Sequence, residues 1–165
     1  MRKLLFALAL TGLGLFGAGQ ALAQSSSTLK PEELEQLVAP IALYPDTLLS
    51  QVLIASTNPL EVVEAERWVQ QNKSLKGDAL KKAVDPKKWD DSIKSLTAVP
   101  DVLAMLSDKL DWTQKLGDAV LAQQPDVMDA IQRLRAKAQA NNKLASTKEQ
   151  KVTVTQQQSK QVIVI

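Results

Sequence analysis

The sequence predicts a mainly α-helical protein: a compact, bundle-like domain of six to eight short helices that ends in a short pair of β-strands. Three observations support this prediction. Six of the seven prolines stand where helices are expected to begin. Apolar residues between them recur at intervals of three and four, which is the period of an amphipathic helix. The last residues of the chain are mainly β-branched, which is typical of strands.

Residues 1–23 have the features of a cleavable export signal. Two basic residues at positions 2 and 3 precede an apolar stretch over 4–16, and Ala21-Leu22-Ala23 supplies the small residues that signal peptidase requires. The stretch is shorter than the roughly 20 residues of a transmembrane helix, which makes the alternative of a retained membrane anchor the weaker one. We expect cleavage after Ala23, a periplasmic or secreted protein, and no stable membrane span after cleavage.

The rest of the chain is long enough for one domain with its own core. We expect a disordered linker over 24–30, the helical domain over 31–145 and a β-strand tail over 146–165.

Proline suits the first turn of a helix, where its missing N–H would have no partner. The six prolines at expected helix starts are Pro31, Pro45, Pro59, Pro86, Pro100 and Pro125. Several of them precede a carboxylate, which the positive end of a helix dipole favours. Asn58 and Asp85, each directly before a proline, are predicted N-caps.

The segments that follow carry the matching apolar stripes. The stretch Leu48–Ala55 is apolar on nearly all sides, which predicts a central helix. Further helices are predicted around 62–69, over 78–84 and 90–97, and along the stripes that run over 99–110, 112–120 and 127–138. Loops are predicted at 73–77 and around Pro86.

The tail differs from the rest of the chain. Val152 and Val154 alternate with threonines, and residues 162–165 are all β-branched, so we expect two strands joined through 156–159. Two strands alone are marginally stable in water. The tail therefore needs a helix to lie on, a partner or more chain, and Val162, Ile163 and Val164 are candidate partner-binding residues.

The charges are unevenly placed. Removal of Arg2 and Lys3 from the 20 basic residues leaves 18, equal to the 18 acidic residues. Residues 31–66 contain seven acids and no base, and residues 130–165 contain seven bases and a single acid. We expect these two ends to attract each other across the fold, rather than to form a surface for an acidic partner. The basic residues are not interleaved with aromatics, so no nucleic-acid partner is predicted.

The chain has no cysteine and no histidine. Thiol chemistry, disulfides, imidazole catalysis and zinc sites built from these residues are excluded. No glycine-rich phosphate loop and no calcium loop occur. We therefore predict no cofactor, no metal site and no catalytic residue.

A few residues could still carry a function. Asp108 and Asp111 could act as a pair of carboxylates, although a helix cap and a solvated face explain them better. Tyr44 is expected at a helix corner with its ring buried and its hydroxyl bound to backbone. The three tryptophans are expected to be core or half-buried anchors. Trp89, which is surrounded by charge, is the best candidate for partner binding.

Two long segments carry a family resemblance: LVAPIALYPDTLLSQVLIASTNPLEVVEAERWV (37–69) and LDWTQKLGDAVLAQQPDVMDAIQRLRAKA (110–138), with QVIVI at the end. Over roughly 35–165 the chain resembles the bacterial exported domain family of unknown function numbered 3300, found in Gram-negative bacteria. The resemblance implies export, a helical domain and no established activity or catalytic residue. Because members usually continue past this point, the resemblance leaves two alternatives open, a complete domain and a truncated member.

The function that these observations favour is a non-enzymatic interaction or structural module of the bacterial cell envelope, with a protein partner bound through the C-terminal strand. The alternative is a carboxylate-based hydrolase that acts on envelope glycan or peptide. A third interpretation is a structural remnant without independent activity.

Overall fold

The computed structural model describes residues 28–148, 150–157 and 160–165. Within these ranges the chain forms seven helices and one two-stranded antiparallel sheet, which confirms the predicted fold class. The elements are α1 (Pro31–Val38), α2 (Asp46–Ala55), α3 (Pro59–Gln71), α4 (Gly77–Val84), α5 (Asp91–Leu96), α6 (Pro100–Asp108), α7 (Leu110–Ala140), β1 (Thr153–Gln157) and β2 (Lys160–Val164). The predicted signal peptide and its cleavage site lie outside the described residues.

Prolines begin the helices largely as the sequence predicts. Pro31, Pro59 and Pro100 are the first residues of α1, α3 and α6, and Pro45 directly precedes α2. Their fixed φ and missing N–H suit this position. Asn58 occupies the N-cap position of α3, but its side chain donates to the Thr57 hydroxyl instead of capping the helix.

The prediction of a helix start at Pro86 is wrong. Asp85 terminates α4 as its C-cap, and Pro86 lies in the turn that follows. The next helix, α5, begins only at Asp91, because the Asp90 carboxylate accepts a 2.8 Å hydrogen bond from the Ser92 N–H. An N-cap of this kind satisfies a donor that the first helical turn leaves free.

Helix α7 joins two predicted helices. Its backbone leaves helical geometry at Gln123 (φ −149°, ψ 46°), two residues before Pro125, whose ring and missing N–H disrupt the helical hydrogen bonds. The buried Gln123 side-chain amide binds both the N–H and the carbonyl of Leu29, at 2.6 and 3.0 Å. Of the predicted linker, therefore, Leu29 is held by hydrogen bonds at the kink and packs against the core.

The core lies where α7 packs on α1 and α2, with α5, α3 and α6 completing it. Its buried side chains come from every helix except α4 and from the connection between α1 and α2. They include Leu34, Leu37, Val38, Ile41, Leu49, Val52, Val62, Ala65, Ile93, Leu96, Leu103, Leu106, Leu116, Val127 and Ile131. The predicted central helix, α2, buries Leu49, Val52 and Leu53, but Ile54 on its outer side is half exposed. The apolar stripes thus predict most of the core.

A close backbone contact holds α7 against the connection between α2 and α3. Gly117 is buried in α7, and a Cβ atom there would lie 2.2 Å from the Ser56 carbonyl oxygen. Real side chains do not approach so closely. Glycine is therefore required by the packing of the two segments and not by the conformation of the helix.

The predicted attraction between the two ends of the domain is confirmed. Glu35 of α1 binds both Arg133 and Lys137 of α7, and the Arg133 contact measures 2.6 Å. Hydrogen bonds from Lys137 and Arg133 to this carboxylate hold the pKa of Glu35 below its ordinary value of 4.5. A third pair joins Asp46 to Arg135. The charge asymmetry of the sequence thus pairs the first helices with the last one.

Candidate functional site

A buried arginine joins three distant parts of the chain. Arg135 of α7 is 1% exposed, and its guanidinium donates to the carbonyls of Ala42, Tyr44 and Ile163 at 2.8 to 2.9 Å. It also donates to the Asp46 carboxylate at 2.6 Å. The planar fork of arginine suits such divergent acceptors. Arg135 therefore ties the α1–α2 connection, the start of α2 and strand β2 to α7.

Strand β2 is held to α7 by a second side chain. The Gln132 amide accepts from the Ile163 N–H at 2.8 Å and donates to the Ile163 carbonyl at 3.3 Å. The Asp46 N–H donates to the carbonyl of Ile165. The edge of β2 that faces the helices is thus bound to α7 at Ile163 and to the start of α2 at Ile165. Helix α7 is the supporting helix that the two strands need.

The three candidate partner-binding residues of the tail differ in exposure. Ile163 is 1% exposed and faces α7, whereas Val162 is half-buried and Val164 is 39% exposed. Ile163 pairs with Val154 across the sheet, and the Val154 side chain is 42% exposed. Ile163 therefore anchors the hairpin, and Val162 and Val164 lie on its accessible surface. A role of these residues in partner binding stays a prediction.

Trp89 lies in an aromatic pair. Its ring meets the ring of Trp68 edge to face, with centroids 6.0 Å apart, and its indole N–H donates to Glu64. The Lys87 ammonium lies 5.1 and 5.5 Å from the two ring centroids, which is the range of a cation–π contact. Both tryptophans are half-buried, as predicted. A cation of the chain itself thus already occupies this aromatic site.

A cleft of about 410 Å³ opens where α6 ends and α7 begins. Its lining residues are Pro40, Met105, Asp108, Lys109, Leu110, Asp111 and Trp112. The indole N–H of Trp112 donates to the Leu37 carbonyl at 2.9 Å, which fixes the ring against α1. The Tyr44 hydroxyl lies 4.0 Å from the Met105 sulfur. The sequence predicts a backbone partner for this hydroxyl, and its partner is the sulfur instead.

This cleft gathers the two carboxylates that the sequence singles out. Asp108 is the last residue of α6 and Asp111 lies in the first turn of α7, so the helix junction, and not one helical face, brings them together. Both are exposed. A glycosidase additionally needs a buried, protonated acid, so hydrolysis stays a prediction that this cleft alone does not favour.

Among residues 28–148, 150–157 and 160–165, no three carboxylates lie close enough together to hold a metal ion. No helix in the described part of the chain has the length and apolar character needed to cross a membrane.

Sequence reasoning missed the residues that hold the hairpin. Arg135 continues the stripe of Val127 and Ile131 at intervals of four, so a charged residue at an apolar position was the signal that could have revealed it. Gln132 directly follows Ile131 and is not part of that stripe, so nothing in the sequence pattern identifies it as a residue that binds the hairpin. Except for the Asp46 carboxylate, the hydrogen-bond partners of Arg135 and Gln132 are backbone groups, which no residue pattern displays.

Comparison with known proteins agrees with the resemblance seen in the sequence. Residues 30–165 match the family described as "Protein of unknown function (DUF3300)". The "Uncharacterized protein YacH" of Escherichia coli (strain K12) is 50% identical over 129 residues, which cover 78% of this chain and 21% of that protein. The chain thus spans about a fifth of the length of this relative. No solved structure matches the chain significantly. The chain therefore belongs to the DUF3300 family of proteins of unknown function.

Proposed function

We propose that this protein is an exported, non-enzymatic interaction module of the bacterial cell envelope, and that it binds a protein partner by adding a strand to the open edge of β1. The export signal over 1–23 supports the cellular location. The mode of binding is supported by backbone groups on the outer edge of β1 that are unpaired within the described part of the chain, and the proposal depends on this observation.

The pairing register determines where the free backbone groups of β1 point. Ile163 uses its N–H and carbonyl to bind α7 side chains, so these groups face away from β1. Directly opposed residues of an antiparallel pair share one orientation, either both toward each other or both away. Val154, opposite Ile163, and Gln156, opposite Gln161, therefore direct their backbone groups to the outer side of β1.

The outer edge of β1 is closed at its start and open beyond it. The Ser146 hydroxyl binds both the N–H and the carbonyl of Val152. The outward groups of Val154 and Gln156 have no partner among the described residues. Two donors and two acceptors are thus in place for an incoming strand.

Strand β1 also lacks the features that usually protect an edge. Its sequence, TVTQQ, contains no charge and no proline, and all five residues are exposed. Proteins commonly block free edges with charged residues, proline or bulges, since a free edge pairs readily with other chains. An uncharged, regular edge on a hairpin that hydrogen bonds hold to α7 suits strand addition.

A crosslinking experiment in cells tests the proposal. A photo-reactive amino acid at Gln156 of the full-length protein should give a discrete crosslinked product, and Val154→Pro should abolish it. Proline removes the outward N–H of residue 154, and no hydrogen bond between β1 and β2 is lost with it. The same photo-reactive group at Asp78, exposed in α4, is the control. An unchanged product from Val154→Pro would contradict the proposal.

Export is tested separately. Cell fractionation followed by N-terminal sequencing should find the protein in the periplasm or medium with Gln24 as its first residue. A cytoplasmic protein that still begins at Met1 would refute export and leave the strand-addition argument untouched.

A further inference from the structure

The cleft at the α6–α7 junction contains charges that the fold does not use. The side chains of Asp108, Lys109 and Asp111 have no hydrogen-bond or ion-pair partner among the described residues. Elsewhere in the domain, charged side chains form ion pairs that join helices, as Glu35 of α1 does with Arg133 and Lys137 of α7. Two carboxylates and one ammonium leave the cleft with a net charge of about −1 at neutral pH.

The remaining residues that line the cleft are apolar, and two of them, Met105 and Trp112, are polarisable. These lining residues are Pro40, Met105, Leu110 and Trp112. Trp112 is fixed by its hydrogen bond to Leu37, so the wall exists before any ligand arrives. Aromatic rings attract cations, and the polarisable sulfur of methionine accepts varied apolar shapes. A volume of about 410 Å³ lies within the usual range of small-molecule sites.

We propose that this cleft is a binding site for a small organic cation, namely an ammonium group attached to an apolar body. The ammonium lies between the carboxylates of Asp108 and Asp111, and the apolar body packs on Met105 and Trp112. Lys109 balances only one of the two carboxylates, so a neutral sugar would leave the net negative charge of the cleft uncompensated and charge complementarity favours the cation. The Trp68–Trp89 pair is a poorer candidate, because Lys87 of the chain itself already occupies it. The strand edge of β1 plays no part in this inference.

A titration with a matched pair of probes tests the inference. Phenethylamine is cationic at pH 7, and 2-phenylethanol has nearly the same shape without the charge. Phenethylamine should cause saturable NMR shifts in the backbone amides over 105–113 of the mature protein, and 2-phenylethanol should bind at least about tenfold more weakly. Higher ionic strength should weaken only the binding of the cation.

Variants of opposite charge sharpen the test. Asp108→Asn and Asp111→Asn should each weaken phenethylamine binding about three- to tenfold, and Lys109→Gln should strengthen it about two- to fivefold. Asp118→Asn is the matched control, because Asp118 is exposed on α7 and does not line this cleft, and it should leave the Kd unchanged.

Three results would overturn the inference. They are the absence of saturable shifts with phenethylamine, equal binding of 2-phenylethanol or of neutral N-acetylglucosamine, and an equal effect of the Asp118 control. Unchanged amide spectra outside the cleft show that each variant is folded.

Discussion

Replacement of Arg135 by methionine should destabilise the domain more than any other single change of charge. The change removes four hydrogen bonds at once. The acceptors on Ala42 and Ile163 are buried, and a buried acceptor without a donor costs about 1–3 kcal/mol. Asp46 is 42% exposed, so water replaces much of what its carboxylate loses. We expect a loss of about 2–6 kcal/mol, that is about 1–3 kcal/mol for each of the two buried acceptors.

Urea unfolding followed by circular dichroism measures this loss, and Arg133→Met is the control. Arg133 is 39% exposed, and its ion pair with Glu35 should contribute no more than about 1 kcal/mol. Arg135→Lys, which keeps the charge but not the planar fork, should fall between the two and remains measurable if the methionine variant does not fold.

Hydrogen exchange adds a local readout to the same experiment. The amides of β1 and β2 should lose protection in Arg135→Lys before those of α3 and α6, since Arg135 binds the Ile163 carbonyl. A loss below about 1 kcal/mol in Arg135→Met, together with unchanged protection of the hairpin, would refute the reasoning.

Other predictions concern single contacts. Gly117→Ala should destabilise the protein by about 3 kcal/mol or more in urea unfolding, because the new methyl group overlaps the Ser56 carbonyl. Gly77→Ala meets no neighbouring atom and should lose only about 1 kcal/mol, from its φ of +52°; equal losses would contradict the packing argument. Contact with Lys137 lowers the pKa of Glu35 in the folded state, so its stabilising effect is complete above pH 4.5 and disappears as the pH falls through the lowered value. Glu35→Gln should therefore be less stable than the wild type at pH 7 and equally stable near pH 2, and a difference that is independent of pH would contradict this assignment.

The sequence by itself determined the helices and most of the core. Proline has one allowed φ and no N–H, so its effect at the start of α1, α3 and α6 is local and legible in the sequence. Apolar periodicity is likewise local, and it placed residues such as Val52, Val62 and Leu106 in the core. Charge asymmetry was enough to predict that α1 and α7 attract each other.

Only the tertiary structure decided how the hairpin is held and where the unused charges meet. Arg135, Gln132 and Asp46 bind backbone atoms of tail residues at least 28 positions away in the sequence. Asp108 and Asp111 meet at a junction between helices. Backbone carbonyls carry no residue identity, and the position of a helix junction depends on how whole helices pack. For that physical reason the open edge of β1 and the cleft could be located only after the chain was folded.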